Sequence, residues 1–374
     1  MQMQQLSVSR LFDGEQWFDN VSVNIDNGII HSVVPASGNV QPGLLVPGFI
    51  DVQVNGGGGA LFNTAPNRQS LRTMLRAHAR FGTTAMLPTV ITDSVSVMHQ
   101  AADAIAAAIA DNEPGIIGVH FEGPHLSVPK KGVHPQQHIR QLTAAELAIY
   151  SRSDLGIKLV TVAPENISAE QIRQLVALNV IVCLGHSNAD AAMVQAALAA
   201  GATGFTHLYN AMSPLTSREP GMVGVALADP DSWCGVIFDG HHIHPVAAKV
   251  ALAAKPKGKL LIVTDAMSPV GTDDTEFDFF AGKVMRDGSK LTNEAGALAG
   301  SVLDMAGAVQ YAVQQLDVSP DEALRMASLY PAQFLARSNS GRIIAGAAAD
   351  LVLLNNNWQV EANWIHGEPI FTAE

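Results

Sequence analysis

Eight apolar runs alternate with Ala- and Leu-rich stretches of helical length between residues 46 and 340. The runs are Val46 to Val54, Thr83 to Val90, Ile116 to Glu122, Lys158 to Ala163, Val180 to His186, Gly204 to Leu208, Trp233 to Asp239 and Leu260 to Asp265. They are nearly continuous in apolar residues, the pattern of parallel strands buried on both faces. Between them lie Ser70 to Phe81, Ser94 to Asp111, Thr143 to Ser151, Ala169 to Leu178, Asp190 to Ala200 and His244 to Ala254. Ser70, Thr143, Ser168 and Asp190 read as N-caps, because a short polar side chain can accept from the first free helical N–H groups. Eight strand–helix units predict an α/β fold, a (β/α)8 TIM-type barrel, with a doubly wound open sheet as the runner-up.

The two ends of the chain have another rhythm. Val21, Val23 and Ile25 alternate with Ser22 and Asn24, and Asn27-Gly28 is a hairpin signal. Gly341 to Ile344, Asp350 to Leu354 and Trp358 to His366 read as further short strands. Neither end has enough residues for a core of its own. The expected plan is therefore residues 1–45 and 341–374 paired into one small β-sandwich domain, with the barrel of residues 46–340 inserted between them.

Apolar residues make up 48 % of the chain and charged residues 15 %, which supports a large buried core. The formal charge of −12 excludes a global basic field for nucleic acid or an anionic membrane. Met1 to Arg10 lacks the pattern of a signal peptide, and no apolar run has the length of a membrane span. Cys183 and Cys234 lie in apolar runs and read as buried free thiols. The expectation is a cytoplasmic protein whose partner is a small molecule.

In a barrel of this kind the chemistry sits at the C-terminal ends of the strands. Three strand ends carry Glu122, His186 and His207. One carboxylate and two imidazoles are a recurrent ligand set for catalytic zinc with a position left for water; iron, cobalt or manganese also suit it. Asp265 ends the eighth strand, where a carboxylate can take and return the proton of an attacking water. Gln53 and Asn55 occupy alternate positions on the first strand, and neutral amides there argue for one metal and an empty second slot. Lys130, Lys131, His134, Asn210, Arg218, His241, His242 and His244 supply local polar and positive groups for an oxygen-rich anion.

The motifs Val-Pro-Gly-Phe-Ile-Asp-Val-Gln-Val-Asn-Gly, His-Phe-Glu-Gly-Pro-His-Leu, Lys-Lys-Gly-Val-His, Leu-Gly-His-Ser-Asn-Ala, Thr-His-Leu-Tyr-Asn-Ala-Met, Asp-Gly-His-His, Val-Thr-Asp-Ala-Met and Leu-Ala-Gly-Ser run in order from 46 to 301. In these the chain resembles the amidohydrolase superfamily, and within it the N-acetylglucosamine-6-phosphate deacetylase family. The resemblance implies one divalent metal on Glu122, His186 and His207, with Asp265 as general acid and base. It implies that His134 donates to the acetyl carbonyl oxygen and that Asn210, Ala211, Arg218 and His242 hold the sugar phosphate. Val133, Leu298, Ala299 and Gly300 would contact substrate. It further implies a homodimer or larger, with Arg218 reaching the neighbouring active site. His241 departs from the family pattern, where an apolar residue is usual. Three rivals remain. The galactosamine epimer differs at one hydroxyl. A cyclic amidase would need a lysine ending the fourth strand, where Ala163-Pro164-Glu165 stands. A non-catalytic sugar-phosphate sensor would have no use for Asp265.

Overall fold

The computed structural model describes residues 4–280 and 282–373; residues 1–3 of the N-terminal stretch fall outside them. Eight parallel strands form one sheet in chain order: β1 (Phe49–Val54), β2 (Thr83–Ile91), β3 (Gly118–Glu122), β4 (Ile157–Val162), β5 (Val180–Leu184), β6 (Gly204–Phe205), β7 (Trp233–Val236) and β8 (Leu260–Ile262). Val54 bridges Ala266 in parallel, and the Asp265 N–H donates to the Gln53 carbonyl at 3.0 Å. The sheet thus closes on itself, and the open-sheet alternative falls away. Asp51 reinforces the closure. Its carboxylate accepts from the Gln53 N–H at 3.1 Å and from the Thr264 hydroxyl at 2.5 Å, tying the first strand to the last.

Both termini join in a second, mixed sheet of seven strands. The strand Leu351–Leu354 pairs antiparallel with Gln41–Pro47, which itself runs parallel to Gln4–Phe12. Leu11, Val23, Leu45, Leu351 and Leu353 form a core separate from that of the barrel. The Asn27-Gly28 turn closes the expected hairpin, with both residues at positive φ as a tight turn between twisted strands requires.

Several element boundaries differ from expectation. Val46 and Pro47 belong to the terminal sheet, and β1 begins only at Phe49. Gly48 makes the break, where an added Cβ would lie 2.1 Å from the Thr84 hydroxyl. β6 is two residues long because the chain turns at once after Phe205 to aim His207 inward. The first helix, Arg68–Ala79, is capped by the Asn67 side chain accepting from the Ser70 N–H, so Ser70 is the capped residue and not the cap. Thr143, Ser168 and Asp190 do cap their helices. Gly341 to Ile344 forms no strand. Features that went unread include a three-stranded antiparallel sheet (Glu276–Phe279, Gly282–Asp287, Lys290–Asn293) after β8, and the helices Gly221–Ala228, Met305–Gln315, Pro320–Ala327 and Leu329–Phe334. Cys183 and Cys234 are buried free thiols. No helix among the described residues is long and apolar enough to cross a membrane.

Gly118 shows how tightly β3 and β4 fit. A Cβ there would stand 2.0 Å from the Ile157 carbonyl oxygen, which is backbone and has nowhere to go. Gly118→Ala is expected to destabilise the barrel by about 1–3 kcal/mol or more, measured as a lower midpoint in thermal unfolding.

Candidate active site

The C-terminal ends of the strands surround a cavity of ≈ 310 Å³. Glu122 stands at the end of β3 and is buried. His207 Nε2 lies 3.0 Å from Glu122 Oε1 and 3.0 Å from His186 Nε2, and His186 Nε2 lies 3.3 Å from the same oxygen. The His186 ring is oriented from behind: its Nδ1–H donates to the Lys130 carbonyl at 2.8 Å, which leaves the Nε2 lone pair facing the cluster. One ligand atom from each of the three residues therefore converges on one point. Bonds of about 2.0–2.1 Å at tetrahedral angles would set zinc ligands about 3.3 Å apart, close to these separations. The donor set fits a divalent cation.

His186, His207 and Asp265 all have positive φ, at 48°, 35° and 52°. A left-handed turn directly after each strand re-aims the side chain from the barrel wall into the mouth. Such strain in residues other than glycine clusters at functional sites.

Asp265 is tied to the same cluster by the first strand. Gln53 Nε2 donates to Glu122 Oε1 at 3.0 Å and lies 3.2 Å from Asp265 Oδ1; Asn55 Nδ2 donates to Asp265 Oδ1 at 2.6 Å. The two amides are hydrogen-bond donors to carboxylates, which explains neutral side chains in this slot. Burial and the nearby Glu122 charge push the Asp265 carboxyl up to about 6, against the smaller pull of the Asn55 hydrogen bond. Burial also raises Glu122, but the two imidazoles of His186 and His207 against its carboxylate outweigh it and hold Glu122 well below the usual carboxylate range. One carboxylate is kept anionic and the other is poised to gain and lose a proton.

His134 stands across the cavity, with Nε2 4.0 Å from Glu122 Oε2. Burial, aided by the facing His186, drives it well below the ordinary histidine range, so the ring is neutral. The Thr92 N–H donates to its Nδ1 at 3.3 Å, and the Thr92 hydroxyl lies 2.9 Å from the same atom. Nδ1 is thereby the acceptor, and Nε2 carries the proton toward the cavity. Sequence reading missed Thr92. It directly follows the Val90-Ile91 end of β2, and a polar residue at that strand end was the available signal.

The remaining expectations divide. Val133, Asn210, Ala211, His242, Leu298 and Gly300 line the cavity. Ala299 does not: its side chain is buried against Leu61, Ile91 and Met267. Arg218 is exposed and lies outside the cavity, and no ion pair joins it to Glu219, whose carboxylate instead accepts from the Ala191 and Gly221 N–H groups. Of the three histidines after β7, only His242 faces the cavity. Its Nδ1–H donates to Asp239 Oδ2 at 2.6 Å, leaving Nε2 for a ligand. His241 is exposed and bonds Ser289, and His244 caps the helix Pro245–Ala254. Glu165 accepts from Ser187 and Asn188, away from the cavity.

A family model described as "Amidohydrolase family" matches residues 44–370. The chain is 56 % identical over 332 residues to an N-acetylgalactosamine-6-phosphate deacetylase of Shewanella sp. (strain ANA-3), covering 89 % of this chain and 84 % of that one. Among solved structures, an N-acetylglucosamine-6-phosphate deacetylase from Pasteurella multocida superposes with a TM-score of 0.94 at 33 % identity, covering 98 % and 99 % of the two chains. A mutant of the Mycobacterium smegmatis N-acetyl-D-glucosamine-6-phosphate deacetylase, in complex with N-acetyl-D-glucosamine-6-phosphate, superposes with a TM-score of 0.93 at 26 % identity over all of both chains. With a closed eight-stranded barrel, a Glu/His/His cluster at its mouth and a family match across nearly its full length, the chain belongs to the amidohydrolase family.

Proposed function

We propose that the protein hydrolyses the acetamide of N-acetylglucosamine 6-phosphate, releasing acetate and glucosamine 6-phosphate in amino-sugar catabolism in the cytoplasm. The observation that carries this reading is the convergence of Glu122, His186 and His207 on one point, with Gln53 linking Glu122 to Asp265. One divalent ion, zinc before iron, cobalt or manganese, would be held by Glu122, His186 and His207, and when bound it lowers the pKa of a water toward about 7 and polarises a carbonyl.

The chain's own groups do the rest. Asp265 accepts the proton of the attacking water. His134 Nε2–H donates to the carbonyl oxygen as it gains charge. Asp265 then returns the proton to the departing amine. Gln53 and Asn55 hold the Asp265 carboxylate in register through both transfers. His242, Asn210 and the Ala211 backbone are placed to hold the phosphate, with Val133, Leu298 and Gly300 against the sugar. Arg218 has no place in its own cavity, and the proposal assigns it to the cavity of a second copy in a homodimer or larger assembly.

A second reading, the galactosamine epimer, is favoured by the 56 % identity to the Shewanella protein. Acetate release from both 6-phosphate epimers, compared as kcat/KM, decides between them; release from neither overturns both. The cyclic-amidase reading loses its footing at β4. The lysine of that strand, Lys158, lies at the far end, donating to the Tyr150, Arg152 and Leu178 carbonyls.

His134→Gln is expected to lower kcat by about 10²–10³ with little change in metal content, the usual loss when one oxyanion donor is misplaced. Steady-state kinetics with metal analysis of the same sample checks it. Thr92→Val keeps the backbone N–H donor to Nδ1 and removes the hydroxyl. Its smaller loss of kcat should be restored by Thr92→Ser.

A further inference from the structure

A second cavity, of ≈ 460 Å³, opens beside the first. Gly132, Val133, His134 and Phe279 line both, so these residues form the partition. Phe279 ends the first strand of the three-stranded sheet and is 9 % exposed. It shares one buried apolar cluster with Leu61, Ile91 and Met267, and its ring lies 4.7 Å, centroid to centroid, from that of Phe280. Besides the partition, the second cavity is lined by both apolar and polar residues, among them Phe280, Val284, Lys131 and Asn293.

The first cavity has two poles. Asn210, Ala211 and His242 line it but not the second cavity, whereas Val133, His134 and Phe279 line both. On the deacetylase reading, the phosphate lies at the first pole and the carbonyl lies between Glu122, Asp265 and His134. An acyl group leaves the carbonyl carbon on the side away from the amide nitrogen, and so away from the sugar. The partition lies on the side of the carbonyl site that Asn210, Ala211 and His242 do not line, and the methyl is placed against it. We propose that Phe279, with Val133, sets the length of the acyl group this enzyme removes, and that the second cavity is the space a longer chain enters once that wall is cut back.

The inference rests on the deacetylase reading and asks for no new chemistry. The amide C–N bond breaks, water supplies hydroxyl to the acyl carbon and a proton to nitrogen, and a longer carboxylate leaves in place of acetate. An extra methylene against a fitted wall costs roughly 10–200-fold in kcat/KM. Two extra carbons in butanoyl need roughly the space of two waters, about 60 Å³, which the second cavity exceeds several times over.

The test compares N-acetyl, N-propanoyl and N-butanoyl hexosamine 6-phosphates of the preferred epimer in wild type, Phe279→Ala and Val133→Ala. The wild type is expected to favour acetyl over butanoyl by roughly 100-fold or more. At least one variant should narrow that ratio about tenfold or more, through a gain on butanoyl rather than only a loss on acetyl. Val133→Ala removes less of the wall and keeps the test readable if Phe279→Ala loosens the Leu61–Ile91–Met267 packing. A wild type that accepts butanoyl as readily as acetyl overturns the inference, and so does an unchanged ratio in both variants. Either result leaves the deacetylase reading standing as long as acetyl is released; failure to release acetyl from either epimer removes that reading and this one together.

Discussion

Asp265→Asn is expected to bind metal like the wild type and to lose about 10³-fold or more in kcat, at the upper end of what a positioned acid–base group supplies. The substitution preserves shape. The new side chain keeps an oxygen that can accept from Gln53 and Asn55, as Asp265 Oδ1 does at 3.2 and 2.6 Å. It loses the capacity to take a proton from water and return it to the amine. Metal analysis, thermal unfolding and acetate release on one preparation separate these effects. A variant turning over at near wild-type rate would remove Asp265 from the chemistry.

The same residue sets the acid side of the pH profile. Burial and Glu122 raise its carboxyl to about 6. The proton-accepting form is the carboxylate, so activity is full above that value and falls as pH drops through it. A bound cation works in the opposite direction to burial and moves the limb below pH 6. Asn55→Ala removes a hydrogen bond that lowers this pKa, so its limb should move to higher pH, read from kcat/KM against pH.

Removing the metal is the second large effect. Chelation should abolish acetate release, and about one equivalent of zinc, iron, cobalt or manganese per subunit should restore it. Glu122→Gln should remove both metal and turnover. Glu122, His186 and His207 are all buried, which means that the apoprotein keeps three convergent polar side chains with no shared cation. Saturating metal at 100 times its dissociation constant adds about 2.7 kcal/mol of stability. The holoprotein should melt at higher temperature than the chelated form, with the difference lost in Glu122→Gln.

The barrel was legible because its strands are buried on both faces and leave uninterrupted apolar runs such as Thr83 to Val90. The Glu/His/His cluster was legible because strand ends converge, so that residues as far apart as Glu122 and His207 need only be placed on their strands to meet. The failures have separate causes. Strand lengths were overread wherever apolar residues continue past the last ladder hydrogen bond, as at Gly204 to Leu208, since composition does not register a left-handed turn. The Gln41–Pro47 strand merged with β1 because only Gly48 separates two apolar segments that enter different sheets. The three-stranded sheet after β8 was missed because only three of its fourteen strand residues are buried and its strands carry charges at Glu276, Lys283 and Arg286. Phe279 was therefore passed over, although it lines the cavity as directly as Val133 does. Of the Leu298 to Gly300 segment that the resemblance points to, Leu298 and Gly300 line the cavity while the Ala299 side chain is buried in the cluster with Leu61, Ile91 and Met267.

The left-handed backbone at His186, His207 and Asp265 restricts what can replace them. Asparagine, aspartate and histidine tolerate that conformation far better than β-branched or bulky residues, and the three positions hold two histidines and an aspartate. Glu122 is held in an ordinary strand, where a longer side chain meets no such restriction. Redesign of the metal preference therefore has an uneven palette. Histidine, aspartate and asparagine can be exchanged at the ligand positions 186 and 207 with the turn intact, while valine, isoleucine or threonine there would bend the backbone that aims the site. Changes of ligand length belong at 122.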